Sequence, residues 1–294
     1  MTTVLSFVNL KGGVGKTALA VNFAAYCGAT GIKTLLVDVD PQTNATFWCM
    51  DIDAWEEHAR CNGTVANLLG FRPQTFGEAS PPDINSIIKK DVFKGVDLIP
   101  SHLDLFTVDL DLAGATGREF RLKRALEPIL NNYDTVVCDC PPNLTIPTQN
   151  ALAASTNYVV PISPDYLSGI GVGILLTRVN QFCKDLQGHN LKLSGMVISR
   201  EGRPAIHRAQ TVSALRQRFG GDVLQVQIKE RVAVSESAER HCSVFDHSDS
   251  AAKAEFILMS QEILSRLWEE TIWIRTNSRR LSRFWRKHLG RALT

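Results

Sequence analysis

Residues 11–17 read Lys11-Gly12-Gly13-Val14-Gly15-Lys16-Thr17, directly after an apolar run and directly before Ala18-Leu19-Ala20-Val21. Glycines let successive backbone N–H groups curl around phosphate oxygens, and a helix opening at the end of the loop adds a favourable dipole. The segment is a relative of G-x-x-x-x-G-K-[ST] with Leu10 in the opening glycine position. In that pattern Lys16 reaches the β and γ phosphates of a nucleotide, and the Thr17 hydroxyl holds Mg2+. Two clusters of acids follow. Asp38 and Asp40 end an apolar run and lead into Pro41-Gln42-Thr43-Asn44-Ala45-Thr46; Asp139 ends another and leads through Cys140 into Pro141 and Pro142. Asp38 and Asp40 stand at period two, so they point to one side of a strand, where like charges repel unless a cation or proton intervenes. A magnesium nucleotide supplies such a cation. Taken alone, strand-end acids about equally often simply meet solvent.

These residues act together only if the fold gathers them at one end of a sheet. Apolar runs of strand length span 4–10, 34–39, 96–100, 135–140, 158–162, 193–199 and 223–228, and most are continuous rather than alternating. Continuous runs mark strands buried on both faces. Helix candidates lie between them at 16–29, 118–131, 148–154, 171–186, 206–219 and 251–268. The alternation predicts an α/β fold, a doubly wound, mostly parallel β-sheet flanked by helices, with its ligand site at the carboxyl ends of the strands. Residues 51–85, with Gly70, Pro73, Gly77, Pro81 and Pro82, read as a surface insertion holding a short helix or two.

The composition of the 294 residues is globular, with 44% apolar and 21% charged residues, which excludes wholesale disorder, collagen and a multi-span membrane protein. The seven cysteines are scattered apart from Cys138 and Cys140 and imply neither a disulfide framework nor a metal site. The N-terminus lacks the layout of a secretory signal, so a cytoplasmic location is expected. His241-Cys242 with Asp246-His247 could form a metal cluster, but a solvated loop is the commoner outcome for such a set.

The lysine-led glycine loop resembles the deviant Walker A motif of the ParA/MinD superfamily of P-loop NTPases, in which an additional lysine, here Lys11, precedes the glycines. D-x-D-P-Q-x-N-x-T at residues 38–46 and D-x-P-P at 139–142 are similar to that family's switch I and to its Walker B and switch II segments, in the same order. The resemblance implies an ATPase that requires Mg2+. In it Gly12, Gly13, Val14, Gly15, Lys16, Thr17 and Ala18 bind the nucleotide. Asp40 positions or polarises the attacking water, Asp38 lies near the metal shell, and Asp139 binds Mg2+ through water. Lys11 crosses to the nucleotide of a second subunit, giving a homodimer that sandwiches two ATP molecules. Ala18, Lys229, Glu230 and Ala233 depart from the usual threonine, proline, arginine and basic residue.

ParA-like ATPases bind nonspecific DNA as ATP dimers and hydrolyse slowly when a ParB-like or cargo-adaptor protein stimulates them. The resemblance thus implies a nucleoid-associated protein that positions plasmid, chromosome or other cargo. MinD-like relatives instead bind a membrane surface through a C-terminal amphipathic helix. Both expectations meet in the tail. Residues 1–270 read as the ATPase domain and 271–294 as a basic amphipathic helix, so that the net charge of +2 is a +7 tail offset by a −5 body. At 100° per residue, Arg279, Arg280, Arg283, Arg286, Lys287 and Arg291 share one side, opposite Phe284, Trp285 and Leu289. DNA phosphates and anionic lipid both suit that face, and a solvated basic face without a partner is the third reading.

Overall fold

The computed structural model describes residues 2–71, 82–112, 114–165, 167–202 and 206–268. Apolar runs build a sheet: β1 (Thr3–Phe7), β2 (Thr34–Asp38), β4 (Val96–Ile99), β5 (Thr135–Asp139), β6 (Asn157–Ile162), β7 (Lys192–Glu201) and, at one edge, β8 (Val223–Lys229) all fall in runs expected to be strands. With β3 (Lys89–Phe93) they form one sheet in the order β3-β4-β2-β5-β1-β6-β7-β8, and every neighbouring pair is parallel except β3 with β4. β3 escaped the sequence reading because Lys-Lys-Asp-Val-Phe is half polar, and its charges suit the exposed edge it occupies.

The sheet separates two apolar cores, and side chains alternate between them along each strand. Leu35, Val37, Val136 and Cys138 face the core completed by helices Ile146–Ala154, Ser168–Asp185 and Ile206–Phe219; Leu36 and Val137 face the one completed by Lys16–Ala29 and Ser250–Leu267. Burial on both faces is why the strand runs are continuous. The segment 118–131 is not one helix: a short α-helix Arg121–Leu126 is flanked by 3-10 turns Arg118–Phe120 and Glu127–Asn132, and Pro128, lacking an N–H, ends the α-helix. Residues 51–85 are also more than a surface insertion: helices Ile52–Asn62, Val65–Leu69 and Ile84–Ile87 bury Trp55, Val65, Leu69 and Ile87 in the cores. Among the described residues no helix is long and apolar enough to cross a membrane.

Candidate functional site

Sheet order alone gathers the acids. β5 lies between β1 and β2, and the register sets Phe7 opposite Asp139 and Asp139 opposite Asp38 at the carboxyl ends. The chain leaves β1 toward β2 on one side and meets β6 on the other, so the glycine loop rises at the point where strand order reverses. Asn9 shapes its start, donating to the Pro161 carbonyl and accepting from the Lys11 N–H. Gly13 and Gly15 take φ of 72° and 84°, left-handed values that disfavour a Cβ. Gly15 also caps the N-terminus of helix Lys16–Ala29.

A cleft of about 600 Å3 opens over this loop. Gly12, Gly13, Gly15, Lys16, Thr17 and Ala18 line its floor, with Asp40 and Gln42 beside them. Trp48, Ile228, Val234, Ala238 and Phe256 give the lining an apolar part, next to the charged Arg200, Lys229, Glu230 and Arg231. Val14 is buried behind the loop, and Asp38 is fully buried below it. Asp38 holds the switch segment: it accepts from the Asp40 N–H at 3.0 Å and from the Thr46 N–H and hydroxyl at 2.8 and 2.7 Å. Burial pushes its carboxyl up to about 7 despite those bonds.

Asp139 is fully buried, and neither carboxylate oxygen has a hydrogen-bond partner among the described residues. The Thr17 hydroxyl faces it and favours its ionised form without reaching good hydrogen-bond geometry. Burial, then the charge of Asp38, raises its pKa far above the ordinary carboxylate range. Lys16 is buried and donates to the Lys11 carbonyl at 3.1 Å; burial lowers its pKa, while Asp139 and Asp40 oppose that shift. Asp139 and Asp40 therefore share one buried ammonium, while Asp38 is held by Thr46 and the Asp40 N–H. The orphaned oxygens of Asp139 beside a threonine hydroxyl are oxygen donors of the kind a hard divalent cation takes, so the residues present fit Mg2+.

Asp40 stands at the cleft edge, accepting from the Gln42 N–H at 2.9 Å, with its pKa raised by burial. Its backbone is fastened by Ser101, which sequence reasoning missed: the Ser101 hydroxyl donates to the Asp40 carbonyl at 2.7 Å, and its N–H donates to the Thr46 hydroxyl at 2.9 Å. Trp55 secures Ser101 in turn, donating from Nε1 to its carbonyl. No sequence signal connects positions 40, 55 and 101; they meet only because β4 ends beside β2. Ser101→Ala is expected to lower kcat about fivefold, the equivalent of one hydrogen bond of ~1 kcal/mol, and to leave nucleotide affinity unchanged. Steady-state phosphate release beside a nucleotide titration checks this, and a pure loss of affinity would refute it.

Lys11 is half exposed and paired with Asp165, beyond the end of β6. His241 and His247 bond separately to the Phe47 carbonyl and to Glu236, and no group of three metal-ligating residues occurs among the described residues. Ala233 is buried, so a long basic side chain could not occupy its place without moving; Arg231 is tied to Glu255 and Asp249. The tail candidates Arg279, Arg280, Arg283, Arg286, Lys287 and Arg291 lie outside the described residues.

Comparison with known proteins agrees with this geometry. A family model described as an AAA domain matches residues 2–193. The sporulation initiation inhibitor protein Soj of Bacillus subtilis is 31% identical over 258 residues, covering 88% of this chain and 96% of that one. The chain belongs to the ParA/MinD superfamily of P-loop ATPases. Within it, the chromosome partitioning protein ParA of Myxococcus xanthus is 29% identical, covering 90% of this chain and 88% of its own. Among solved structures, cobyrinic acid a,c-diamide synthase from Mycobacterium smegmatis with bound ADP and magnesium superposes with a TM-score of 0.70 at 27% identity, over 91% of this chain and 96% of that one. A plasmid partition protein from Borrelia burgdorferi shares the fold, with a TM-score of 0.66 at 22% identity over 90% and 99% of the two chains.

Proposed function

We propose that this ParA/MinD-superfamily protein is a partition-type ATPase that dimerises on ATP, binds nonspecific DNA in that state and releases it after slow hydrolysis, thereby positioning a plasmid, chromosome or other cargo. The observation that carries the chemistry is Asp139, a buried carboxylate without a partner, set against Lys16 and Thr17 under a glycine loop. The loop N–H groups and the Lys16 ammonium bind the phosphates, and the apolar part of the lining, from Trp48 to Phe256, takes the purine ring. Asp139 and the Thr17 hydroxyl hold Mg2+, whose charge neutralises the phosphate oxygens when it is bound. Asp40 orients a water molecule and draws off its proton while Lys16 compensates the growing negative charge. Lys11 leaves Asp165 to reach the nucleotide of the second subunit. Hydrolysis by positioning and charge neutralisation needs no covalent intermediate.

The partition role draws on similarity to Soj and ParA, and the acid-free tail with seven cations gives that role a route to DNA phosphates. With hydrolysis blocked by Asp40→Ala, ATP-loaded protein is expected to bind random-sequence DNA at low salt and to release it steeply as salt rises. Lys11→Ala in the same background is expected to lose both dimerisation and DNA binding. No DNA binding by the ATP-loaded protein would refute this reading. The alternation of cations with Phe284, Trp285 and Leu289 in the tail sequence also supports a membrane-associated regulator; ATP-dependent sedimentation with anionic vesicles, lost in a chain ending at Trp268, would favour that reading instead.

A further inference from the structure

The end of β7 carries a feature that ATP chemistry does not itself require. Ser199 pairs with Ile228 of β8 and Glu201 with Lys229, so Arg200 is an extra residue on β7, a bulge in a parallel pair. Its φ is 53°, in the left-handed region that a residue with a side chain seldom adopts. Bulges beside active sites re-aim a side chain, and strained backbone persists only where its surroundings enforce it. Here the bulge turns Arg200 back over the phosphate loop.

Two consecutive residues of β7 thus grip two consecutive carbonyls of the loop. The Ser199 hydroxyl donates to the Val14 carbonyl, and Arg200 Nη1 donates to the Gly13 carbonyl at 2.9 Å. A Cβ on Gly15 would lie 3.6 Å from Arg200 Cγ, so the arginine stem packs against the loop, and Ser199, Arg200 and Glu230 line the same cleft as the loop glycines. Arg200 Nη2 donates to Glu230 at 2.8 Å. Glu230 sits on a fastened segment: the neighbouring Lys229 N–H and Arg231 guanidinium both bond to Glu255 of helix Ser250–Leu267. In a trans peptide the C=O and the following N–H point in opposite directions. Holding the Gly13 and Val14 carbonyls therefore fixes the direction of the Val14 and Gly15 N–H groups, which point away from the two β7 side chains.

We propose that Ser199 and Arg200 are positioning residues that pre-set the phosphate loop for nucleotide, with Glu230 orienting the Arg200 guanidinium. The proposal rests on the reading that this loop binds nucleotide phosphates. Each acts on the loop backbone, by donating to a loop carbonyl. Pre-organisation of this kind strengthens binding of the ground and transition states alike, so its loss raises KM and spares kcat.

The test uses the full chain, a fluorescent ADP analogue with magnesium, and steady-state ATP hydrolysis. Lys16→Ala controls the underlying reading: if wild type does not bind the analogue, or Lys16→Ala binds it equally, the phosphate-loop reading itself fails. Given that control, Arg200→Ala is expected to weaken binding roughly tenfold and to raise KM in proportion with kcat within twofold, as for one charge-assisted hydrogen bond. Arg200→Lys should recover part of the loss, since an ammonium lacks the planar fork that serves both partners. Glu230→Ala alone should weaken binding two- to threefold, and combining it with Arg200→Ala should add nothing, because Glu230 acts through Arg200. An unchanged dissociation constant in Arg200→Ala, a fall in kcat without a change in KM, or tighter binding by Glu230→Ala would each overturn the proposal.

Discussion

Asp139→Asn is expected to make the nucleotide-free protein more stable while removing most of its magnesium-dependent activity. The wild-type carboxylate is fully buried, lacks hydrogen-bond partners among the described residues and lies near Asp38 and Asp40, with Lys16 as counter-charge. A buried amide of the same shape neither ionises nor has to take up a proton on folding, so the substitution removes the cost of burying this group. A gain of ~2 kcal/mol would raise Tm by about 3 °C for a chain of 294 residues. The pH dependence has a definite sign. A carboxyl whose pKa is raised by folding takes up a proton on folding, so stability is greatest at low pH and is lost as pH rises from the unfolded value of about 4 through the folded one. For Asp38 that window ends near 7; for Asp139 it extends upward from about 4, because burial raises its pKa well above the ordinary range. Nucleotide-free wild type should therefore melt lower at pH 8 than at pH 6, and Asp139→Asn should flatten that slope. Magnesium nucleotide should reverse the ranking, stabilising wild type much more than the variant. Hydrolysis should fall about 10–100-fold, the usual cost of losing a residue that holds a metal through water. Thermal melts at two pH values, with and without magnesium nucleotide, check all of this; a variant that melts lower than wild type when nucleotide-free would refute it.

The same residue shows what sequence can and cannot convey about this site. Lys16, Thr17, Asp40 and Asp139 were legible because each ends or follows a strongly apolar run, and local pattern places such residues at strand ends. The seven strands other than β3 were legible for a related reason: their apolar runs are continuous, and in central strands such as Thr34–Asp38 and Thr135–Asp139 burial on both faces makes them so. What local pattern does not encode is the neighbour across the sheet. Ser101 reaches Asp40 across 61 positions and Arg200 reaches Gly13 across 187. Neither a serine after Ile99-Pro100 nor an arginine at a strand end carries a signal that names its partner. β3 was hidden by its mixed polarity; in residues 51–85 short helices were expected, but the glycines and prolines that read as a surface insertion concealed that their apolar faces pack into the cores.

Asp40→Ala should separate hydrolysis from binding more cleanly than any other substitution at the site. Its carboxylate is only 5% exposed yet lines the cleft, and it is aimed by the Gln42 N–H on one oxygen and by Ser101 on its own backbone carbonyl. Burial raises its pKa, which moves a carboxylate toward the range where a general base works best near neutral pH; Lys16 limits that rise. Losing a positioned base typically costs about 10²–10⁴-fold in rate. The loop amides and Lys16 remain, so the dissociation constant for magnesium ATP should change less than threefold, and ATP-bound dimers should accumulate. Asp40→Asn sharpens the test. Its amide oxygen can still accept from the Gln42 N–H, so it keeps the local geometry but cannot take a proton. It should therefore be as inactive as the alanine variant if Asp40 acts as a base, and substantially more active if Asp40 only orders the switch segment. Single-turnover hydrolysis of the two variants, read beside their ATP affinities, distinguishes these roles. The kcat–pH profile of wild type should rise with an apparent pKa above the ordinary carboxylate range, because the deprotonated form is the active one. A profile that falls across that range would remove Asp40 from the role of base and leave it one of orientation alone.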